Sequence, residues 1–204
     1  MAWRQVWAQL STENELCRLV DGVRQMQPVE EVPDAAVLMG LTLEPQSQLL
    51  LTQRAVHLSS HAGEVAFPGG KCDTADRSAV ATALRESHEE VGLQAERVWV
   101  IGQTGSYVSR AGLKVQPVLA LVDPQVHLQG NPDEIAHIFR VPLHFFLNTL
   151  PNHDHEVDFM GQTYVMPCFR YQGFVIWGLT AYMWVDVLNR TLGAGIDFPM
   201  PRRQ

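Results

Sequence analysis

The chain has 204 residues, of which 46% are hydrophobic and 18% are charged, a composition typical of a globular domain with a sizeable core. Its formal charge of −7 at pH 7 argues against general nucleic-acid binding, which needs a basic surface. No segment reaches the about 18 consecutive apolar residues of a membrane span, and Cys17, Cys72 and Cys168 lie far apart, so we expect a reduced cytoplasmic protein.

The first predicted elements are helical. We expect one or two helices that form an extension, residues 1–30, packed on the outside of a main domain of residues 31–198. A partner surface is the alternative role for this segment, and the polar stretch Gln27–Pro33 is predicted to be a linker. The prediction rests on apolar residues that recur at roughly helical spacing, namely Trp3, Val6, Trp7, Leu10, Leu16, Val20 and Val23.

Two strands and a polar loop follow the linker. Ala35–Leu41 is predicted to be a buried strand, and Gln48–Arg54 a second strand that forms a hairpin with it. The loop that leads to Gly70 is rich in charged and imidazole side chains. An isolated histidine is usually a surface residue, but their concentration here favours contact with a substrate. The candidates are Arg54, His57, His61 and Glu64.

The most informative segment is a predicted helix over Ala79–Val91. It follows a turn at Pro68–Gly70, and it ends at Gly92, the residue type that most readily terminates a helix. Either Asp76 or Ser78 can cap its first turn, because both side chains accept hydrogen bonds from backbone amides. The segment between them and the glycine is rich in residues that favour helices.

The two faces of this helix differ in chemistry. At about 100° per residue, three carboxylates project together at positions i, i+3 and i+4, opposite an apolar face formed by Val80, Leu84 and Val91. Such carboxylates repel one another, and a divalent cation such as Mg²⁺ relieves the repulsion by accepting hard oxygen ligands. The alternative is a solvated acidic face. The three carboxylates are those of Glu86, Glu89 and Glu90.

A second pair of strands with a connecting loop comes after the helix. We expect strands at Arg97–Gly102 and Val115–Val122, with Pro117 indicating an edge position or a bulge in the second. In the loop between them, Tyr107 could stack on a purine and Arg110 could hold a phosphate. Both side chains also suit an exposed loop without such a function.

The last third of the chain predicts mostly structural elements. A short strand at Ile138–Val141 and a short helix at Leu143–Leu147 precede His153–Asp158, which is predicted to be a solvated loop rather than a metal site. That loop opens a strand pair that turns at Met160–Gln162. The apolar segment Phe174–Ala181 is predicted to enter the core and to lead into a helix that ends near residue 192.

Two motifs in this sequence resemble those of a known family. Arg85–Leu93 resembles the second half of the Nudix box, whose pattern is G-x5-E-x7-R-E-U-x-E-E-x-G-U. Three departures are visible: Asp76 replaces the first Glu, eight residues rather than seven separate it from Arg85, and Ser87 stands where an aliphatic residue is usual. Asp76 is predicted to be either a member of the acidic site or only a helix cap.

The loop before the helix narrows the resemblance to one branch of the family. Residues 50–70 resemble the extended motif of the coenzyme A diphosphatases, approximately L-L-T-x-R-S-x-x-L-x-x-H-x-G-x-V-x-F-P-G-G, with Ala55 where the motif prefers Ser. That branch also tolerates the Asp substitution and the extra residue in the box. A Trp-Gly-x-Thr-Ala segment at residues 177–181 is similar to one found in the same branch.

The resemblance implies both a fold and an activity. The implied fold is an α/β class, Nudix-like α/β/α sandwich with a mixed β-sheet and an N-terminal helical extension. The implied reaction is Mg²⁺- or Mn²⁺-dependent hydrolysis of the diphosphate linkage in coenzyme A, a small-molecule substrate, to 4′-phosphopantetheine and adenosine 3′,5′-bisphosphate. The alternatives are another nucleotide substrate, such as ADP-ribose or NADH, and a non-catalytic nucleotide-binding regulator. The oligomeric state stays open, with a homodimer as one alternative.

The resemblance also implies roles for individual residues. Glu86, Glu90 and Glu89, together with the backbone at Gly70, would hold the metal. Glu89 or Glu134 would act as the general base, with Asp133 behind Glu134, and Arg85 would orient the acids. The candidate substrate contacts are Arg54, His57, His61 and Glu64 of the motif loop, Gly69 through its open backbone, and Tyr107 through the stacking suggested above.

Overall fold

A computed structural model describes residues 2–11, 14–26, 33–159, 161–197 and 200–201. Two 3₁₀ helices, at Ala2–Gln9 and Ala95–Arg97, accompany four α-helices: α1 (Glu15–Arg24), α2 (Ala79–Val91), α3 (Leu143–Asn148) and α4 (Gly178–Leu192). The strands are β1 (Ala35–Thr42), β2 (Gln48–Arg54), β3 (Val65–Ala66), β4 (Gly69–Lys71), β5 (Val98–Gln103), β6 (Tyr107–Val108), β7 (Lys114–Val122), β8 (Ile135–Pro142), β9 (Asn152–Phe159), β10 (Gln162–Tyr171), β11 (Phe174–Ile176) and β12 (Met200–Pro201). The predicted bounds of α2 and β2 match these.

The central layer is a mixed sheet of eight strands. Its main path runs β3–β2–β1–β7–β5, and β8 pairs along the length of β2. The long strands β1 and β7 pair in parallel, whereas β1 and β2 form the predicted antiparallel hairpin. The short strand β4 pairs with β1, which places its two glycines at the edge of the sheet that faces α2. Strands β9 to β12 form a second, antiparallel sheet.

Apolar residues cover both faces of the central sheet, because side chains alternate along each strand. One face packs against α2 through a core that includes Ala36, Leu38, Leu50, Val118 and Ala120. The opposite face packs against α1 and α4 through Met39, Leu41, Leu51, Leu119 and Leu121. The arrangement confirms the predicted fold class, an α/β/α sandwich with a mixed sheet.

Helix α1 lies in the main core, although the sequence predicts an element packed on the outside. Its buried residues are Leu16, Cys17, Leu19, Val20 and Val23. The helix approaches α4 so closely that a Cβ atom on Gly22 would lie 2.7 Å from the Cβ of Thr191. Helical spacing predicts the apolar face but not the neighbour that covers it, so the position of α1 could not be predicted.

Part of the N-terminal prediction cannot be compared with the structure. Residues 27–32 of the predicted linker, and the side chains of Trp3 and Val6, lie outside the described residues. The division of the chain at residue 30 therefore remains a prediction. Within the described ranges, no helix is long and apolar enough to cross a membrane.

Two local predictions need correction. Of the two alternatives for Pro117, the edge position is wrong, since β7 is flanked by β1 and β5. The pairing of β5 with β7 does shift register between Val100 and Gly102, and Pro117 is tolerated because the β5 ladder ends at the pair Gln103–Val118. The segment 153–158, predicted as a loop, belongs to strand β9, where it pairs with β10. Pairing with a partner strand outweighs the polar composition of that segment.

Candidate active site

Local capping interactions fix the two ends of α2. The Ser78 Oγ accepts a hydrogen bond from the Ala81 N–H at 3.2 Å, so Ser78 is the N-cap. Gly92 adopts the left-handed conformation, with φ of 68°, which favours glycine. Asp76, the other predicted cap, does not cap the helix: its carboxylate instead binds the side chain of Arg85.

Small residues form the buried face of α2. Of the predicted apolar face, Val91 is fully buried, whereas Val80 and Leu84 are half-buried at the border of the same core. Ser87, which the sequence does not assign to this face, is also fully buried. The Ser87 hydroxyl donates to the Ala83 carbonyl at 2.6 Å, which satisfies its polar group inside the core. Small side chains allow α2 to lie close to β1 and β4, and they explain why a Ser is accommodated at the aliphatic position of the motif.

Glu90 is a buried carboxylate held against the glycine strand. The residue is 3% exposed, and its Oε2 accepts a hydrogen bond from the Gly69 N–H at 3.0 Å. Its Oε1 lies 3.6 Å from Nη1 of Arg54. Burial, aided by the neighbouring carboxylates of Glu134 and Glu86, raises the pKa of Glu90 to about 7 against the opposing effects of Gly69 and Arg54.

Glu86 lies one turn before Glu90 and packs against the next glycine. A Cβ atom on Gly70 would lie 2.5 Å from the Glu86 carboxyl carbon, so only glycine leaves room for this carboxylate. Burial raises the pKa of Glu86, and the charges of Glu89 and Glu134 act in the same direction, while Arg85 opposes them. Two carboxylates on α2 therefore face the backbone of β4 in a partly desolvated site.

Arg85 organises the acidic side chains around it. Its Nη1 donates to Glu86 at 2.9 Å and to Glu89 at 3.0 Å, and its Nη2 donates to the Lys71 carbonyl at 3.0 Å. Two further bonds run to Asp76, from Nε at 3.2 Å and from Nη2 at 2.8 Å. These bonds hold the pKa of Asp76 well below its usual range, so this carboxylate is the ionised anchor of Arg85.

The three predicted carboxylates of α2 do not converge on a single point. Among the described residues, only Asp154, His155 and Cys168 place at least three potential ligand atoms within 4.8 Å of one another. Arg85 draws Glu86 and Glu89 toward itself, whereas Glu90 turns to Gly69 and Arg54. Repulsion between like charges opposes a closer approach. Glu89 is the outermost of the three, since 53% of its side chain is exposed.

The 54–70 loop folds against the turn that carries Glu134. The Ala55 N–H donates to the Glu134 carbonyl at 2.8 Å, and the His57 Nε2 lies 3.1 Å from the Asp133 carbonyl oxygen. His61 Nδ1 and Glu64 Oε2 are 2.8 Å apart on the exposed side of the loop. These contacts bring the loop beside the turn whose carboxylate affects the pKa of both Glu86 and Glu90.

Arg54 links this loop to the buried carboxylate. Its backbone pairs with Gly63 and Glu64, and its guanidinium approaches Glu90. The Arg54 Nε is buried and has no hydrogen-bond partner in the structure. A buried donor without a partner is costly, so an acceptor at this position would stabilise the structure.

Tyr107 does not belong to this site, contrary to the role predicted for it as a substrate contact. The residue is 7% exposed, its hydroxyl donates to Asp186, and its ring packs edge-on against Tyr182. It therefore belongs to the core on the α4 side of the sheet, opposite α2. Arg110 is exposed in the turn after β6. The isolated loop sequence gave no indication that the Tyr107 ring would be covered.

The donor set around Glu90 suits a hard divalent cation. Glu86, Glu90 and Glu134 supply carboxylate oxygens, and the absence of side chains on Gly69 and Gly70 exposes backbone beside them. Repulsion and desolvation raise the pKa of both glutamates on α2, and a cation would offset both effects. The chemistry of these residues therefore fits the Mg²⁺ or Mn²⁺ expected from the sequence, and a bound cation would draw together carboxylates that now lie apart.

Comparisons with known proteins agree with these observations. The family described as "NUDIX domain" matches residues 32–161. A protein named "Uncharacterized Nudix hydrolase NudL" from Photorhabdus laumondii is 45% identical over 147 residues, which are 72% of this chain and 79% of the relative. A protein of the same name from Yersinia pestis is 42% identical and covers 72% of this chain and 74% of its own length.

A solved structure supports the fold over a longer range. The crystal structure of a MutT/nudix family protein from Enterococcus faecalis superposes with a TM-score of 0.50 and 18% sequence identity. The alignment covers 94% of this chain and 73% of the other. At this identity the likeness concerns the fold alone.

Proposed function

Because the chain belongs to the Nudix hydrolase family, we propose that it cleaves the diphosphate linkage of coenzyme A, giving 4′-phosphopantetheine and adenosine 3′,5′-bisphosphate. The observation that carries the proposal is the contact between the two motifs, the one on α2 and the one at residues 50–70. Glu90 from α2 meets Arg54 and Gly69 from the 54–70 loop, the stretch that resembles the coenzyme A diphosphatases. The residues that would set specificity thus adjoin those that would perform hydrolysis.

Glu86 and Glu90 are the proposed principal metal ligands, with Glu89 and the backbone at Gly70 completing the set. A bound Mg²⁺ or Mn²⁺ would supply charge neutralisation at the phosphate oxygens and a water of lowered pKa. The fold contributes the position of each acid: the Gly69 N–H holds Glu90, and Arg85 holds Glu86. Fixed ligands lose little conformational entropy when the cation binds.

Glu89 and Glu134 are the proposed candidates for the general base. A general base must reach the attacking water within hydrogen-bond distance. Glu89 lies at the exposed edge of the site and is oriented by Arg85 at 3.0 Å. Glu134 lies in the turn before β8 and interacts electrostatically with both Glu86 and Glu90. Single Gln substitutions at the two positions, compared by their pH–rate profiles, distinguish the two candidates.

Arg54 is the proposed phosphate contact. It carries the buried Nε without a partner, and phosphate oxygens are well matched to a guanidinium group. His57, His61 and Glu64 are the proposed further substrate contacts. His57 touches the Glu134 turn at the Asp133 carbonyl, and His61 and Glu64 pair with each other in the same loop. An anionic diphosphate is compatible with this acidic protein because local cations reverse the field at the site.

A hydrolysis panel tests the substrate. Coenzyme A, an acyl-coenzyme A, ADP-ribose and NADH are compared by product release with Mg²⁺ and with Mn²⁺. We expect kcat/KM for coenzyme A to exceed that for ADP-ribose and NADH at least about tenfold, which corresponds to about 1.4 kcal/mol of differential transition-state binding. The Glu90→Gln variant serves as the inactive control for contaminating hydrolases.

Each other outcome of the panel favours a different function. Equal or faster hydrolysis of ADP-ribose or NADH would replace coenzyme A with that nucleotide. Binding of these ligands without turnover of any would indicate a nucleotide-binding regulator.

A further inference from the structure

A second group of potential metal ligands lies in the β9–β10 hairpin. The Asp154 carboxylate, the His155 imidazole and the Cys168 thiol place one ligand atom each within 4.8 Å of one another. Within the described ranges, this is the only group of three or more such side chains that meets this distance. None of the three belongs to α2, to β4 or to the 54–70 loop.

An irregularity in strand pairing brings these residues together. In a regular strand, the adjacent residues Asp154 and His155 would point to opposite faces of the sheet. The register between β9 and β10 shifts between Met166 and Cys168, so that β9 carries one more residue than β10 between the pairs Met166–His155 and Cys168–Asn152. Such a bulge redirects a side chain.

Pro167 gives a physical reason for the bulge at this point. A proline has no N–H to donate to the ladder, and within sheets it occurs mainly on edge strands or at bulges. It lies directly between the last regular pair of β10, Met166–His155, and Cys168. The proline therefore accounts for the interruption that allows Asp154 and His155 to approach the same cysteine.

The three side chains differ in their exposure to solvent. Cys168 is fully buried, His155 is half-buried and Asp154 is exposed, so the group opens to solvent on the Asp154 side. The ring of Trp177 lies 4.8 Å from that of His155 and covers one side. Arg170 Nη2 binds Asp154 Oδ2 at 2.6 Å, while His155 Nδ1 lies 2.9 Å from Oδ1.

We propose that Asp154, His155 and Cys168 form a binding site for a divalent ion of the zinc class. A thiolate and an imidazole select a metal of intermediate softness over Mg²⁺, which prefers oxygen ligands alone. Three protein ligands and one water complete the tetrahedral coordination that Zn²⁺ adopts. On binding, the thiol proton of Cys168 passes to solvent. Arg170 keeps its bond to Oδ2 and orients the carboxylate from outside the metal's ligand shell.

Co²⁺ is a spectroscopic probe for this site, because thiolate coordination gives a charge-transfer absorption in the near ultraviolet. The 204-residue chain is titrated with Co²⁺ in an excess of Mg²⁺, which occupies carboxylate-only sites. We expect the thiolate band to saturate at about one Co²⁺ per chain and to disappear when Zn²⁺ is added. Absence of the band at saturating Co²⁺ would overturn the proposal.

Three variants identify the ligands. Cys168→Ser is expected to abolish the band, and Asp154→Asn is expected to weaken Zn²⁺ binding at least about 10-fold, as the loss of metal-site contacts generally does. Cys72→Ser is the matched control, because Cys72 is a half-buried thiol on a different part of the fold, and it should leave the band intact. Loss of the band in Cys72→Ser with retention in Cys168→Ser would refute the assignment. If Cys168→Ser does not fold, Zn²⁺ binding by Asp154→Asn still tests the proposal, because Asp154 is exposed and its substitution should leave the fold intact.

Discussion

Glu90→Gln separates the stability of this protein from its proposed activity. The wild-type carboxyl is 3% exposed, and burial raises its pKa from 4.5 to about 7. A raised pKa means that the fold favours the protonated form. The contribution of Glu90 to stability is therefore fully present below about pH 4.5 and is lost as the pH rises through about 7.

The size of the stability change follows from the size of the pKa shift of Glu90. About 2.5 pKa units, at about 1.36 kcal/mol each, correspond to a penalty of about 3 kcal/mol for the ionised wild-type protein. A glutamine resembles the neutral acid and can still accept the Gly69 N–H. In the absence of divalent cations, we expect Glu90→Gln to be more stable than wild type by up to about 3 kcal/mol at pH 8 and about equal to it at pH 4.5.

The assay combines unfolding and turnover. Urea unfolding with a chelator, at several pH values between 4.5 and 8, gives the free energy of unfolding, and coenzyme A hydrolysis with Mg²⁺ gives kcat. We expect kcat to fall at least about 100-fold in Glu90→Gln while stability at pH 8 rises. Glu89→Gln is the matched control on the same helix, and its stability should change by no more than about 0.5 kcal/mol at either pH because its side chain is half exposed.

Two results would refute the reasoning. A Glu90→Gln variant with near-native turnover would remove Glu90 from the proposed metal ligands. A stability difference that does not depend on pH would show that the carboxyl is not desolvated as the structure indicates.

The remaining predictions concern the support of the site and of the fold. Asp76→Asn removes the ionised anchor of Arg85, so we expect the Mg²⁺ concentration at half-maximal activity to rise about 10- to 100-fold. The control is Asp73→Asn, a substitution at an exposed position. Equal effects of the two substitutions would contradict the anchoring role of Asp76. Gly22→Ala places a Cβ 2.7 Å from that of Thr191. Chemical denaturation should therefore show a free energy of unfolding lower by about 1–3 kcal/mol, despite the better helix propensity of alanine. A stabilised variant would show that α1 and α4 are not in close contact.

Local signals explain why much of the fold was predictable. The bounds of α2 followed from Ser78 and Gly92, which act within one turn of the helix. The strands β1 and β2 followed from continuous apolar runs, as expected for strands buried on both faces. The motif residues on α2 and in the 54–70 loop were recognised by their spacing, which does not depend on the rest of the chain.

The features that were missed depend on distant neighbours. The buried face of α2 extends beyond Val91 to Ser87 and Glu90, and Glu86 packs against the bare backbone of Gly70 on β4, which helical periodicity alone does not reveal. Tyr107 is covered by α4, which lies some 70 residues later in the sequence and supplies Asp186 as its partner. Asp154 and His155 meet Cys168 only through a shift in strand register, which the sequence signals weakly, through Pro167.

The position of the cation is the most direct measurement of the proposed chemistry. Crystals soaked with Mn²⁺ should show an anomalous difference peak bound by the carboxylates of Glu86 and Glu90, beside the backbone of Gly69 and Gly70. A peak only at Asp154, His155 and Cys168, or none that contacts α2, would contradict metal-assisted hydrolysis at this site.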